Sequence, residues 1–177
     1  AGSSSVGVAA IQLANAVGAL PVAVTRNNRK RDALIRVGAA NVIATDSEDL
    51  SERVRDITGG NGARLVFDAV GGATLQALDA ISADGGIVFL YGAFDLGAHP
   101  VPMIPAITKE LRLWGYMVYS VHNTPERLKR AFGHIYGLME SSGVRPVIDR
   151  TFPLSDYAAA HRYLESNEQV GRVVITV

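Results

Sequence analysis

The chain predicts a doubly wound α/β fold, a parallel sheet with helices on both faces. Three observations point there. Short β-rich runs alternate with helix-length segments along most of the 177 residues. Those runs are continuously apolar instead of alternating, as expected of strands covered on both faces of a parallel sheet. Finally, a turn of small residues, Ala1-Gly2-Ser3-Ser4-Ser5-Val6-Gly7, leads straight into an apolar helical segment. There the backbone N–H groups and the positive end of the helix dipole can face an anion.

The elements follow in order. From Gly7 to about Val17 an alanine-rich stretch, apolar on nearly every face, predicts a buried helix with Gly18 at its C-cap. Leu20 to Thr25 is a strand, and Arg29 to about Val37 a helix ended by Gly38. Asn41 to Thr45 is the next strand. Ser47 is expected to cap a helix that carries Glu48, Asp49 and Glu52 in its early turns and stops at Gly59-Gly60. After the Asn61-Gly62 turn come a strand from Ala63 to Val70, a helix from Thr74 to Ala83, and a strand from Gly86 to Gly92. Ala93 to Thr108, with Pro100, Pro102 and Pro105, reads as a long functional loop. Leu111 to Tyr119 reads as a strand, and Thr124-Pro125 opens a helix running to Ser141. A section of different texture closes the sequence: Arg145 to Asp149, Phe152 to Leu154, a Ser155-capped helix to Glu165, and a strand from Arg172 to Val177.

Composition narrows the function. With 48% apolar and 19% charged residues the chain is globular and ordered. Net charge is zero, and the longest basic run is Arg29-Lys30-Arg31, so nucleic acid is not an expected partner. No apolar run reaches the roughly 20 residues of a membrane helix, and nothing resembles a signal peptide. The absence of cysteine excludes disulfides and a thiolate zinc site within this chain and is compatible with the cytoplasm. His99, His122, His134 and His161 lack metal-ligand spacing and read as surface or loop residues, so no metal ligand is assigned.

Against the dinucleotide fingerprint Gly-x-Gly-x-x-Gly, the opening turn reads Gly2-x-Ser4-x-x-Gly7, with serine in the middle glycine slot. Its short side chain still admits a pyrophosphate and adds a hydroxyl donor. About 20 residues further on, an acid holds the ribose 2′-OH, whereas a basic residue accommodates a 2′-phosphate. The window here is Thr25-Arg26-Asn27-Asn28-Arg29-Lys30-Arg31, with no acid before Asp32. The cofactor is therefore expected to be NADP(H). No strand precedes the turn, although a central strand normally delivers the chain to it. The sequence is accordingly expected to be part of a longer polypeptide.

The pattern resembles the medium-chain dehydrogenase/reductase superfamily, in its quinone oxidoreductase and zinc-type alcohol dehydrogenase-like branches. The resembling pieces are Ala1 to Gly7 before Ala10-x-Gln12-Leu13-Ala14, Val37-Gly38-Ala39-Ala40, Leu65 to Gly72, Gly85-Gly86-Ile87-Val88, and Gly171-Arg172-Val173-Val174. The resemblance implies a Rossmann domain over residues 1–142, lacking its first strand, and a segment 143–177 that belongs with an absent N-terminal catalytic domain. It also implies cofactor contacts. Backbone around Ser4, Ser5, Val6 and Gly7 takes the pyrophosphate, and Arg26 and Lys30, with Thr25 beside them, take the 2′-phosphate. Thr45 lines the adenine–ribose pocket. Val70, Gly71, Gly92 and Ala93 lie at carboxyl ends of strands, where such sheets bind ligand. Arg172 reaches back to the pyrophosphate or nicotinamide end. Asp68 reads as a capping residue, and no catalytic acid or base is assigned. Trp114, Tyr116 and Tyr119 read as packing or dimer-face residues, with the strand near Trp114 pairing two copies.

The implied activity is hydride transfer from NADPH to a small quinone, enone or aldehyde/alcohol-type substrate by a cytoplasmic homodimer, the fragment alone binding nucleotide without turnover. A non-catalytic NADPH-binding or oligomeric structural module is the alternative. A short-chain dehydrogenase is disfavoured because none of Tyr91, Tyr116, Tyr119, Tyr136, Tyr157 or Tyr163 has lysine four residues on. A methyltransferase would want an acid after the second strand.

Overall fold

The computed structural model describes residues 1–97 and 100–177, the side chain of Ala73 excepted. His99 and part of the Ala93–Thr108 stretch thus lie outside the described residues. In chain order the elements are α1 (Ser5–Ala16), β1 (Val22–Thr25), α2 (Arg31–Val37), β2 (Asn41–Ala44), α3 (Leu50–Thr58), β3 (Ala63–Asp68), α4 (Ala73–Gln76), α5 (Leu78–Ile81) and β4 (Ser82–Leu90). There follow α6 (Met103–Thr108), β5 (Arg112–Gly115), α7 (Tyr119–His122), α8 (Pro125–Ser141), β6 (Ile148–Pro153), α9 (Tyr157–Glu165) and β7 (Arg172–Thr176). The sheets are parallel throughout, in the orders β1-β2, β3-β4-β5 and β6-β7, with helices on both faces. The α/β reading therefore holds.

The chain divides into two compact units, Ala1–Asp46 with Arg130–Val177, and Ser47–Lys129. Residues 143–177 fall in the first unit, with the opening turn. In the first unit Ser4, extended at φ −67° and ψ 163°, caps α1 by accepting from the Gly7 N–H at 3.0 Å. β1 pairs with β2 from Val22 beside Asn41 to Thr25 beside Ala44. Gly38, in the left-handed region at φ 112°, ends α2 where a side chain would be strained. Ile11, Ala23, Leu34, Ala39 and Val42 form the core, and Val170 from the C-terminal section packs on it. Gln12 adds a two-way clamp: its Nε2 donates to the Arg145 carbonyl at 2.9 Å, and the Arg145 N–H donates to its Oε1 at 2.8 Å.

In the second unit Val88 and Leu78 are fully buried, Ile81 and Ala69 nearly so, and α3 packs against α5. Phe67, Phe89 and Trp114 are register partners across β3, β4 and β5. Phe89 and Trp114 stack at 5.4 Å between ring centroids. This aromatic row lies partly in solvent, with Trp114 59% and Phe67 43% exposed, so β3 is not covered on both faces as its apolar run predicts.

Several local expectations are corrected. Asp49, not Ser47, caps α3, its Oδ1 accepting from Glu52 N–H at 2.8 Å; the carboxylate nearest the helix start takes the free donor. The segment expected to be helical to Ala83 ends at Ile81, and β4 begins at Ser82. α6 lies inside the expected loop. Its prolines do not break it, because Pro102 caps it and Pro105 sits in the first turn, where no N–H is needed. β5 spans only Arg112–Gly115, and Tyr119 opens α7 instead of extending the strand. Before α9, Asp156 and not Ser155 occupies the cap position, with no side-chain capping bond.

Candidate functional site

The turn at residues 1–7 is tight because its glycines leave it room. A Cβ on Gly7 would stand 2.5 Å from the Ala1 carbonyl oxygen and 2.6 Å from that of Gly2, so helix and turn could not approach as they do. Gly2 N–H donates to the Val24 carbonyl at 3.0 Å, which sets the turn beside the end of β1. The Gly7 N–H is consumed by Ser4 Oγ. The N–H groups of Ser5 and Val6, in the first turn of α1, have no acceptor among the described residues. No acid stands in that turn. Ser4 Oγ accepts one bond and keeps its own hydrogen to donate. These are donors of the kind a pyrophosphate takes, so the chemistry of the turn fits the dinucleotide that its sequence implies.

The carboxyl end of β1 carries the charge. Thr25 and Thr45 are joined there, the Thr45 N–H donating to the Thr25 carbonyl at 3.0 Å, and the Asp46 N–H donates to the Arg26 carbonyl at 2.9 Å. Arg26 is exposed, and its guanidinium has no hydrogen-bond or ion-pair partner among the described residues. Lys30 is placed differently. Its Nζ donates to Ser3 Oγ at 3.0 Å and to the Gln169 carbonyl at 2.9 Å. Burial lowers its pKa below the ordinary lysine value and the nearby Arg26 charge lowers it further, while Asp149 and Glu168 draw it back up. The C-terminal section docks on the same turn: Gly171 N–H donates to the Ser3 carbonyl at 2.9 Å, and Ser4 bridges Gly171. Arg172 follows directly, opening β7 with an exposed side chain. Ser4, Ser5, Val6, Gly7, Thr25, Arg26, Lys30, Thr45 and Arg172 thus all belong to one compact unit. Sequence reasoning gave no role to Ser3 or Gln169; Gln169 lies 139 positions from Lys30, and no local pattern announces it.

Val70, Gly71, Gly92 and Ala93 come together in the other unit, at the carboxyl ends of β3 and β4. Tyr91 N–H donates to the Asp68 carbonyl at 2.9 Å, Phe94 N–H to that of Ala69 at 3.0 Å, and Asp95 N–H to that of Val70 at 2.9 Å. A Cβ on Gly92 would stand 2.9 Å from the Ala69 carbonyl oxygen. Asp68, 6% exposed, accepts from the Val70 and Gly71 N–H groups, each at 2.9 Å, and so closes the turn after β3. Tyr91 stacks on Phe67 at 4.0 Å, and burial followed by the Asp68 charge raises its pKa above the ordinary tyrosine value.

His122, His134 and His161 are exposed. Among the described residues no group of three or more His, Cys, Asp or Glu side chains could hold a metal. No described helix is long and apolar enough to cross a membrane.

Comparison with known proteins agrees with this geometry. The chain is 30% identical over 180 residues to quinone oxidoreductase 1 of Escherichia coli, covering 97% of this chain and 53% of that protein. The crystal structure of an E. coli quinone oxidoreductase complexed with NADPH superposes with a TM-score of 0.85 at 28% identity, over 99% of this chain and 55% of that one. That of an NAD-dependent alcohol dehydrogenase also gives 0.85 at 28% identity, over 99% and 49%. The chain thus spans about half the length of the relatives it matches. Residues 5–133 match the family model described as zinc-binding dehydrogenase. With the turn, the parallel sheets and these matches in agreement, the chain belongs to the zinc-binding dehydrogenase family, within the medium-chain dehydrogenase/reductase superfamily.

Proposed function

We propose that this chain is the NADP(H)-binding part of an oxidoreductase that transfers hydride to a quinone, enone or aldehyde/alcohol-type substrate. The observation that carries the reading is the sequence window after β1, which has no acid before Asp32 and whose exposed Arg26 shares a compact unit with a turn whose Ser5 and Val6 N–H groups lack acceptors among the described residues. A ribose 2′-OH calls for a carboxylate at that position, and a 2′-phosphate for a cation. Backbone around Ser4, Ser5, Val6 and Gly7 holds the pyrophosphate. Thr25, Arg26 and Lys30 form the cationic end of β1, with Thr45 toward the adenosine. Val70, Gly71, Gly92 and Ala93 contact the cofactor from the carboxyl ends of their strands, and Arg172 reaches back toward the pyrophosphate or nicotinamide end. When bound, the nicotinamide supplies the hydride, and the residues of this chain orient it and exclude water.

In this reading residues 1–142 are the nucleotide-binding domain and residues 143–177 belong with a substrate domain outside this sequence. The isolated chain binds nucleotide without turnover. The complete enzyme is a cytoplasmic homodimer. Its contact is the short edge strand β5, paired with β4 on one side, where Trp114 is largely exposed. Isothermal calorimetry on the complete protein should give tighter binding of NADPH than of NADH. Equal affinities would overturn the cofactor assignment. Tight NADPH binding without hydride transfer to any quinone, enone or aldehyde would instead favour a binding or structural module.

A further inference from the structure

At the amino ends of β3 and β4, the strand ends opposite those that carry Val70 and Gly92, the second unit holds a cavity of about 450 Å³. A register slip accompanies it. Ala63 pairs with Ser82 and the next printed pair along the strands is Leu65 with Ile87, so Arg64 alone stands opposite residues 83–86. Arg64, Ser82, Asp84 and Lys109 line the opening. Their polar groups are not spent alike. Lys109 Nζ donates to the Asp79 and Ser82 carbonyls, the latter at 3.0 Å, and pairs with the Asp79 carboxylate at 3.6 Å. The exposed Arg64 guanidinium and Asp84 carboxylate have no hydrogen-bond or ion-pair partner among the described residues, and they do not pair with each other. Ser82 is 2% exposed, yet its Oγ has no partner among the described residues either.

We propose that this cavity binds a small zwitterion of the amino-acid class, its carboxylate on Arg64 and its ammonium on Asp84, with the Ser82 hydroxyl as a further donor to the carboxylate. The physical reason is charge balance. Asp79 already answers Lys109, so the charges left open are one cation and one anion. A simple anion would suit Arg64 but meet repulsion at Asp84, and a simple cation would meet the converse. One molecule that carries both signs satisfies both groups at once. The planar guanidinium matches a carboxylate through two parallel hydrogen bonds. A buried hydroxyl without a partner is unfavourable, and a ligand oxygen would relieve it. The cavity lies at the strand ends opposite the cofactor contacts, so this proposal is independent of the NADP(H) reading.

The experiment is equilibrium dialysis of radiolabelled glycine against the complete protein, with Arg64→Gln, Asp84→Asn and Ser82→Ala beside it. Glycine should bind saturably, and an excess of acetate or of methylammonium should displace it poorly. Arg64→Gln and Asp84→Asn should each weaken binding by roughly tenfold, with melting temperature and NADPH affinity unchanged. Ser82→Ala should weaken glycine binding while leaving stability equal or higher, because it removes a hydroxyl that has no internal bond to lose. Acetate competing as well as unlabelled glycine would make this an anion site and overturn the proposal. Absence of saturable binding would overturn it, as would binding that survives both charge substitutions. A lowered melting temperature in Ser82→Ala would show that its hydroxyl is bonded within the protein and overturn its part. Loss of NADPH preference in the unmutated protein would fail the cofactor reading alone, since the glycine measurement does not depend on it.

Discussion

Two glycine-bearing turns in this chain look alike in sequence and end up chemically opposite. In the turn before α1 a serine caps the helix, taking only the Gly7 N–H, and the Ser5 and Val6 N–H groups have no acceptor among the described residues. In the turn after β3 the acceptor is a carboxylate, and Asp68 closes over the N–H groups of both Val70 and Gly71. A hydroxyl satisfies one donor and leaves the helix dipole uncompensated; a buried carboxylate satisfies two and cancels the local positive potential. The difference teaches that glycine spacing alone does not mark an anion site. What matters is whether the turn carries its own anion.

The comparison breaks most readily at Asp68. Replacing it with alanine strands two backbone donors around a 6% exposed position, and should cost about 2–4 kcal/mol in denaturant unfolding. A loss below about 0.5 kcal/mol would mean that water replaces the carboxylate freely. Gly7→Ala comes next. Its methyl group would meet carbonyl oxygens at 2.5 and 2.6 Å, so overpacking should cost about 1–3 kcal/mol and nucleotide affinity should drop with it. Unchanged NADPH binding would show that helix and turn need not approach closely.

Ser5→Asp sharpens the contrast by giving the first turn an anion of its own. Stability should rise by about 0.3–1 kcal/mol from the helix dipole while nucleotide binding falls, two changes of opposite sign in one variant. If affinity rose along with stability, the turn would not be an anion site. The smallest effect concerns Tyr91. Its raised pKa means that the folded state holds the neutral phenol more tightly than the unfolded chain does. That contribution is complete below pH 10.0 and is lost as the pH climbs through the folded-state value. Tyr91→Phe should therefore unfold less steeply above pH 10.0 than the parent chain; identical alkaline profiles would contradict the assignment.

Much of the fold was legible because its signals are local. The glycines at 38 and 59, the proline at 125 and the apolar runs of β2 and β4 each act on their own few residues, and α8 begins and ends where its sequence says. The misreadings share a cause. At α6, proline was read as a breaker without regard to its position in the first turn, and at β5 apolar content was read as strand beyond Gly115, where the chain turns into α7. In both cases position within the element outweighed residue type. At the site, spacing already groups Ser4, Gly7 and Arg26, since they belong to one turn–helix–strand unit. Ser3, Gln169 and the docking of Gly171 were not, because those bonds join residues that sequence spacing leaves unrelated.

That long reach has a consequence for biosynthesis. On the ribosome the first helix and its serine cap can form early from neighbouring residues. The lysine tether, the Gly171 amide and the Gln12–Arg145 clamp have to wait until residues 145–171 emerge. With sequence separations of 133 and 139 positions, these closures come late and slowly. A nascent chain halted before residue 169 would therefore display the loop without its fastening.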